Sequence, residues 1–194
     1  IVIIFLVIRR SFHKIMYFFN FSFLLSPFFN SAMKAVASVR KALGVRTFFN
    51  MLGPLVNPAL PKYQLLGVYN LSLLRLYNYV FQGSDTRFAV VHGLDGYDEI
   101  SLTGEFKVAT STTETIYTPE SIGFNRYCEQ DLDGGKSPDE AARIFDRVLQ
   151  GEATPAQADC VIANAAFAIR VIEPEKSLAD CIALARESME SGRE

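Results

Sequence analysis

Two adjacent acidic residues, Asp98 and Glu99, are the first candidates for chemistry in this sequence. They follow the run HGLDG at residues 92–96, which is typical of a strand end that enters a loop. Neighbouring side chains on a regular strand point to opposite faces, so both carboxylates converge only if Asp98 lies in a loop. Two carboxylates suffice for Mg²⁺ when water and phosphate oxygens complete its shell. The pair predicts either a Mg²⁺ site or a solvated acidic turn, whereas His92 and Asp95 are expected to be structural.

A second candidate is Arg40, in the block AMKAVASVRKALGVRTFFNMLGPLVNP at residues 32–58. The block has no acidic residue, and its cations are Lys34, Arg40, Lys41 and Arg46. The guanidinium of an arginine grips a carboxylate with two parallel hydrogen bonds, which a lysine cannot do. Cations on a packed and kinked backbone predict a preformed pocket for an anion. The alternative is that Arg40 is an exposed cation on a surface helix.

Turn-forming and amide residues in and before this block complete the candidate set. Gly53 permits close backbone approach and Pro54 fixes the turn, either against a ligand or merely before the next strand. Asn30 offers a hydrogen-bond donor and an acceptor but no titratable proton, and it could equally be a plain residue at the start of a helix. The chain has only 2 histidines, and no Ser-His-Asp or Cys-His set can be assembled from them. We therefore predict no catalytic nucleophile or base.

The elements that must position these residues alternate between strand and helix patterns. Short apolar runs predict strands at Phe23–Ser26, Tyr63–Tyr69, Arg87–Val91 and Thr115–Thr118, and a hairpin of Glu99–Leu102 with Glu105–Ala109. Helical patterns predict helices at Ser31–Val36, Ser38–Leu43 and Leu71–Phe81. Three further helices are predicted in the C-terminal part: one begins with a capping box at Ser137, the next begins with a capping box at Thr154, and the last ends at Gly192. This order predicts an α/β fold, a layered sheet with flanking helices.

The composition fits one globular domain with a sizeable core. The chain has 194 residues, of which 49% are hydrophobic and 21% are charged. All 21 acidic residues lie at or after Asp85, so the preceding part is basic. A nucleic-acid-binding half would explain this split, but the cations are spread among apolar residues, which favours an anionic small molecule and no nucleic acid. The cysteines at positions 128, 160 and 181 are odd in number, and Cys160 and Cys181 fall in helical patterns with apolar neighbours, so we expect buried reduced thiols in a cytoplasmic protein.

Residues 1–22 are expected to be a leader that does not belong to the domain at residues 23–194. Ile1–Ile8 is purely apolar but too short to cross a bilayer, which takes about 20 residues. The cations follow this run instead of preceding it, unlike those of a signal peptide. We interpret the segment as a non-native or mis-framed leader, with a membrane-associated segment as the alternative, and we expect no membrane partner.

Three stretches carry a resemblance to a known family. MKAVASVRKALGVRTFFNMLGPLVNP at residues 33–58, HGLDGYDEIS at residues 92–101 and the Asn-Ala-Ala of Asn164–Ala166 resemble anthranilate phosphoribosyltransferase. The resemblance covers residues 23–194. The family's N-terminal helical domain, its glycine-rich diphosphate loop (Gly-Thr-Gly-Gly-Asp) and its Lys-His-Gly-Asn-Arg loop have no match here. The chain thus resembles the C-terminal part of a nucleoside-phosphorylase/phosphoribosyltransferase-like domain.

The resemblance implies a glycosyltransferase of tryptophan biosynthesis. Its substrates would be 5-phosphoribosyl 1-diphosphate (PRPP) and anthranilate, and its products N-(5-phosphoribosyl)anthranilate and diphosphate. By resemblance, Arg40 binds the anthranilate carboxylate, Gly53-Pro54 lies against the ring, and Asn30 stands where many members have a histidine. Asp98 and Glu99 match the residues that bind Mg²⁺ on the diphosphate. The full-length family member is expected to be a cytoplasmic homodimer.

Two other functions stay open at this point. The chain could be an inactive fragment of that enzyme, because the missing glycine-rich loop removes half of the phosphate cradle. It could also be a related nucleoside phosphorylase, which has a similar architecture. The runs RKALG at residues 40–44 and NMLGPL at residues 50–55 favour anthranilate over a nucleobase.

Overall fold

A computed structural model of the protein describes residues 60–192 and, before them, residues 35, 36, 38, 39, 42, 44, 49–52, 55 and 57. The chain divides into two compact units, Ile1–Pro61 and Lys62–Glu194. In the first unit the described part includes a short helix, α1, at Phe49–Leu52. The strand expected at 23–26 and most of the helices expected at 31–43 lie outside the described residues.

The second unit is built on a mixed sheet of four strands in the order β1-β2-β3-β4. These strands are β1 at Tyr63–Gly67, β2 at Arg87–Gly93, β3 at Phe106–Thr110 and β4 at Glu114–Tyr117. β1 and β2 are parallel, whereas β2–β3 and β3–β4 are antiparallel. All residues of β2 after Arg87 are buried, which confirms the buried strand predicted from its apolar sequence.

Besides this sheet, the second unit contains four longer helices: α2 at Leu71–Gln82, α3 at Pro138–Leu149, α4 at Pro155–Ile172 and α5 at Leu178–Ser191. Single 3₁₀ turns lie at Glu120–Ile122 and Glu129–Leu132. The Thr154 hydroxyl and the Gln157 side chain form the predicted reciprocal capping box at the start of α4. At α3 only the Ser137 half forms, because the Glu140 carboxylate accepts its hydrogen bond from the Lys136 N–H instead.

The hairpin predicted for 99–102 with 105–109 is wrong. Residues 94–105 form a loop that returns the chain from β2 to antiparallel β3, and the tight hairpin joins β3 to β4. The alternating apolar residues Ile100 and Leu102 imitate a strand, and both are fully buried. However, Leu102 has φ +61°, in the left-handed region, so a strand cannot continue through it.

The core lies between one face of the sheet and helices α4 and α5, while α2 covers the other face. Buried apolar residues of the first layer are Ala89, Val91, Ile100, Leu102, Phe106, Val108, Phe124, Ile162, Ala163, Ala166, Phe167, Val171, Cys181 and Ala185. On the opposite face Phe88 packs against Phe81 of α2, with ring centroids 5.4 Å apart. This alternation follows from the strand period of two and confirms the layered α/β fold.

Candidate functional site

Asp98 and Glu99 lie in the loop between β2 and β3, and both are exposed. A tight turn precedes them: the Gly93 N–H donates to the Tyr97 carbonyl at 2.9 Å, and the Gly96 N–H donates to the Gly93 carbonyl at 2.9 Å. Gly96 has φ +108°, which favours glycine. The prediction that Asp98 lies in a loop is therefore confirmed.

The electrostatics of this acidic pair favour a cation. Burial of the carboxyl group by surrounding protein atoms and the adjacent Asp98 carboxylate raise the pKa of Glu99, although the residue as a whole is exposed. A cation between the two groups would relieve this repulsion. The donors are hard oxygen atoms, which suit Mg²⁺. Among the described residues no group of three or more His, Cys, Asp or Glu could hold a metal ion, so water or phosphate would have to supply the other ligands.

The end of β1 supports the loop through a close backbone approach. A Cβ atom at Gly67 would overlap the Asp98 carbonyl oxygen and lie 2.8 Å from its carbonyl carbon. Real Cβ atoms do not come so close, so the loop can occupy this place only because residue 67 is glycine. Sequence reasoning missed this role, because β1 and the acidic pair are separated along the chain.

Helix α4 supports the other side of the acidic pair through Asn164. Its side-chain amide bonds both the N–H and the carbonyl of Ile100, the residue that follows Glu99. The sequence singled out Asn164 only as part of the Asn-Ala-Ala triplet and gave it no role. The signal that was available is a polar residue in a stretch of small apolar ones.

His92 and Asp95 have structural roles, as predicted. The buried His92 ring places its Nδ1 2.8 Å from the Val68 carbonyl oxygen. The Asp95 carboxylate accepts a hydrogen bond from the Thr103 hydroxyl, which is 2.7 Å from the Ser101 hydroxyl. The His92 contact thus attaches the end of β2 to the chain that follows β1, and the Asp95–Thr103 bond links two distant positions of the loop.

The other predicted site residues, Arg40, Asn30, Gly53 and Pro54, lie outside the described residues. Their roles in binding anthranilate therefore stay predictions. Among the described residues, no helix is long and apolar enough to span a membrane.

The fold and the site define a class: a layered α/β domain that carries an exposed acidic loop at the end of its sheet. The chain belongs to the family described as "Glycosyl transferase family, a/b domain", whose model matches residues 8–194. The match includes residues 8–22 of the segment that the sequence analysis set apart as a leader.

Individual relatives are similar over most of the chain. The chain is 68% identical over 186 residues to an anthranilate phosphoribosyltransferase of Bacteroides fragilis strain YCH46, and the match covers 96% of the chain and 55% of the relative. It is 66% identical over 174 residues to that of Bacteroides thetaiotaomicron, covering 90% and 52%. The chain spans about half the length of the curated relatives it matches.

Solved structures match a similar share of the chain at lower sequence identity. Anthranilate phosphoribosyltransferase from Saccharomyces cerevisiae, in complex with PRPP and Mg, has a TM-score of 0.88 at 29% identity, over 97% of this chain and 54% of that one. The enzyme of the same name from Thermus thermophilus has a TM-score of 0.80 at 36% identity, over 95% and 54%.

Proposed function

We propose that this chain is the C-terminal part of a phosphoribosyltransferase that acts on PRPP and anthranilate. The observation that carries the proposal is the exposed Asp98–Glu99 pair on a loop supported from two sides, in a chain 68% identical to an anthranilate phosphoribosyltransferase. In the proposed reaction the amine nitrogen of anthranilate bonds to the anomeric carbon of PRPP. The bond from that carbon to the diphosphate oxygen breaks, diphosphate leaves with the electron pair, and the amine proton is released to solvent.

The two carboxylates would bind the diphosphate end of PRPP through Mg²⁺. Mg²⁺ supplies positive charge that stabilises the leaving diphosphate. Asp98 and Glu99 contribute oxygen ligands and fix where the diphosphate lies. Because the described residues offer no nucleophile–base pair at this loop, the protein's contribution is positioning and charge stabilisation.

A role in anthranilate binding is proposed for the basic block at residues 32–58 and for Asn30 before it. Arg40 would hold the substrate carboxylate in a bidentate grip, Gly53-Pro54 would lie against the ring, and Asn30 would line the approach. We also propose that the full-length protein is a homodimer in the cytoplasm and has no nucleic-acid partner. The division of the chain into residues 1–22 and 23–194 is likewise a proposal.

A second candidate function is a binding module without turnover. The 194 residues contain no Gly-Thr-Gly-Gly-Asp run, which is the glycine-rich diphosphate loop of the family that the chain resembles. For a protein that consists of these residues alone, we expect anthranilate binding but no product. Each lost donor of the kind that stabilises a developing negative charge costs about a hundred- to thousandfold in rate.

Fluorescence titration with anthranilate and an assay with PRPP and Mg²⁺ test both candidates. Arg40→Lys should weaken anthranilate binding, because the charge stays while the bidentate geometry is lost. Arg143→Lys, at an exposed position of α3, is the matched control and should bind like the parent. Parent-like binding by Arg40→Lys would remove Arg40 from the site. Turnover by the 194-residue chain would rule out the module without turnover, and absence of anthranilate binding by the parent would contradict the proposed substrate.

A further inference from the structure

The side-chain amide of Asn164 on α4 bonds the backbone of the acidic loop directly. We propose that Asn164 is a positioning residue, which holds Asp98 and Glu99 where they bind a divalent cation and diphosphate. This inference rests on the proposed function and adds to it a residue that acts through the loop backbone.

Both backbone groups of Ile100 are bonded by the Asn164 side chain. Its Oδ1 accepts from the Ile100 N–H at 3.2 Å, and its Nδ2 donates to the Ile100 carbonyl at 2.8 Å. The same Nδ2 also donates to the Cys160 carbonyl, one helical turn earlier, at 2.9 Å. The amide orientation is fixed by these contacts, because a flipped amide would place its oxygen against two carbonyl oxygens.

The Cys160 thiol strengthens the same attachment. Its Sγ lies 3.1 Å from the Ile100 carbonyl, so that one carbonyl accepts from two side chains of α4. The Ile100 side chain itself is fully buried in the core. The residue directly after Glu99 is therefore fixed by its side chain and by both of its backbone groups.

The carboxylates themselves have no comparable attachment. Neither Asp98 nor Glu99 makes a side-chain hydrogen bond or ion pair with another residue in the described part of the chain. Their positions consequently follow from the backbone, which Gly67 contacts at Asp98 and Asn164 bonds at Ile100. A residue that orients ligands in this way changes metal affinity without touching the metal.

The surroundings of Asn164 show why a packing role does not explain it. Ala163, Ala166 and Phe167 beside it are buried in the apolar core, and Asn164 is half-buried. A buried amide without partners destabilises a protein, so an apolar residue would serve packing better here. The amide is compensated by Ile100 and Cys160 alone among the described residues.

The test uses the full chain with Mn²⁺ as a reporter ion and inorganic diphosphate, followed by electron paramagnetic resonance. Asn164→Ala should weaken Mn²⁺ binding in the presence of diphosphate by about 10- to 100-fold, the usual effect of losing a residue that orients metal ligands. Hydrogen exchange at the Ile100 N–H should become faster in the same variant. Gln157→Ala, which removes the capping-box bond of the same helix, should lower the melting temperature and leave both readouts unchanged.

A second variant covers the case in which Asn164→Ala fails to fold. Asn164→Asp has nearly the same volume and keeps the acceptor for the Ile100 N–H, but it replaces the donor by an oxygen that faces two carbonyls. It should also weaken Mn²⁺ binding with diphosphate. Parent-like Mn²⁺ affinity in a folded Asn164 variant, with unchanged exchange at Ile100, would overturn the inference and leave the proposed function intact.

The proposed function is judged separately in the same experiment. Loss of Mn²⁺ binding in an Asp98→Asn, Glu99→Gln double variant supports it, whatever the Asn164 variants do. Absence of Mn²⁺ binding by the parent with diphosphate, or unchanged binding by the double variant, would overturn the proposed function and the inference that rests on it.

Discussion

The chain contains the dipeptide Asp-Glu twice in exposed positions, at 98–99 in the β2–β3 loop and at 139–140 at the start of α3. In α3 the Glu140 carboxylate accepts a hydrogen bond from the Lys136 N–H at 2.6 Å, so its role is to bond the backbone just before the start of the helix. In the loop both carboxylates lack such partners within the described part of the chain, while the backbone beneath them is fixed. The fixed backbone, more than the acidic residues themselves, therefore distinguishes this loop as a candidate site.

The largest expected effect comes from the glycine under the loop. Gly67→Ala would place a methyl group against the Asp98 carbonyl oxygen and 2.8 Å from its carbonyl carbon, so the loop or β1 must move. We expect the free energy of unfolding to fall by about 3 kcal/mol, the upper part of the range for overpacking, and Mg²⁺ binding with diphosphate to be lost. Chemical denaturation and calorimetry measure the two effects.

Gly83→Ala is the matched control for this change. Gly83 follows α2 at φ −88°, and a Cβ atom there meets nothing within 4 Å. Its unfolding free energy should stay close to that of the parent. If Gly67→Ala is as stable as Gly83→Ala and binds Mg²⁺ with diphosphate equally well, the close support of the loop by β1 is contradicted.

A somewhat smaller effect is expected from truncating Ile100, the buried apolar side chain of the loop. Ile100→Ala removes a fully buried side chain and should lower the free energy of unfolding by about 2–3 kcal/mol. Ile144 of α3 is only half-buried, so Ile144→Ala should cost less than half as much. Equal losses in the two variants, measured by urea denaturation, would remove the distinction between the anchored loop and the α3 region.

The smallest expected effect concerns the thiol that contacts the loop. Burial and the nearby Glu99 carboxylate raise the pKa of Cys160 to about 12, so the thiol stays protonated in the folded protein at pH 8. Cys128 is exposed, so the burial expected for it from the sequence is wrong. Iodoacetamide at pH 8 should label Cys128 and spare Cys160, as mass spectrometry would show. Rapid alkylation of Cys160 in the folded chain would mean that the loop does not cover it.

The sign of the pH dependence follows from the same shift. An unfolded chain ionises this thiol near its ordinary pKa of 9, and the folded chain only near 12. The stability that comes from the neutral thiol is therefore complete below pH 9 and is lost as the pH rises through 12. Cys160→Ser should flatten the alkaline part of a stability profile measured by denaturant unfolding.

Elements with local signals were predictable from the sequence. The apolar run at 87–91, the helical period at 71–81 and the capping residues Ser137 and Thr154 each act over a few neighbouring residues. Gly96 likewise indicated the loop that carries the acidic pair. The acidic pair could be selected as a candidate from the sequence, because two adjacent residues with carboxylate oxygens are visible without any structure.

Contacts between distant residues were not predictable in this way. Asn164 bonds Ile100 across 64 residues, and no local pattern announces such a bond. The contact of Gly67 with Asp98 depends on the parallel pairing of β1 with β2, which sets where the loop falls. Leu102 misled the strand prediction, because alternating apolar residues also occur where a loop fills the core.

The most direct test of the central claim is calorimetry with Mg²⁺, with and without diphosphate, on three proteins. The parent should bind Mg²⁺ only when diphosphate is present, because two carboxylates leave most of the ion's ligands to be supplied. Asp98→Asn, Glu99→Gln should abolish that binding, whereas Asp139→Asn, Glu140→Gln, which removes the same two charges from α3, should bind like the parent. Equal binding by the two double variants would contradict the assignment of the metal and diphosphate site to the β2–β3 loop.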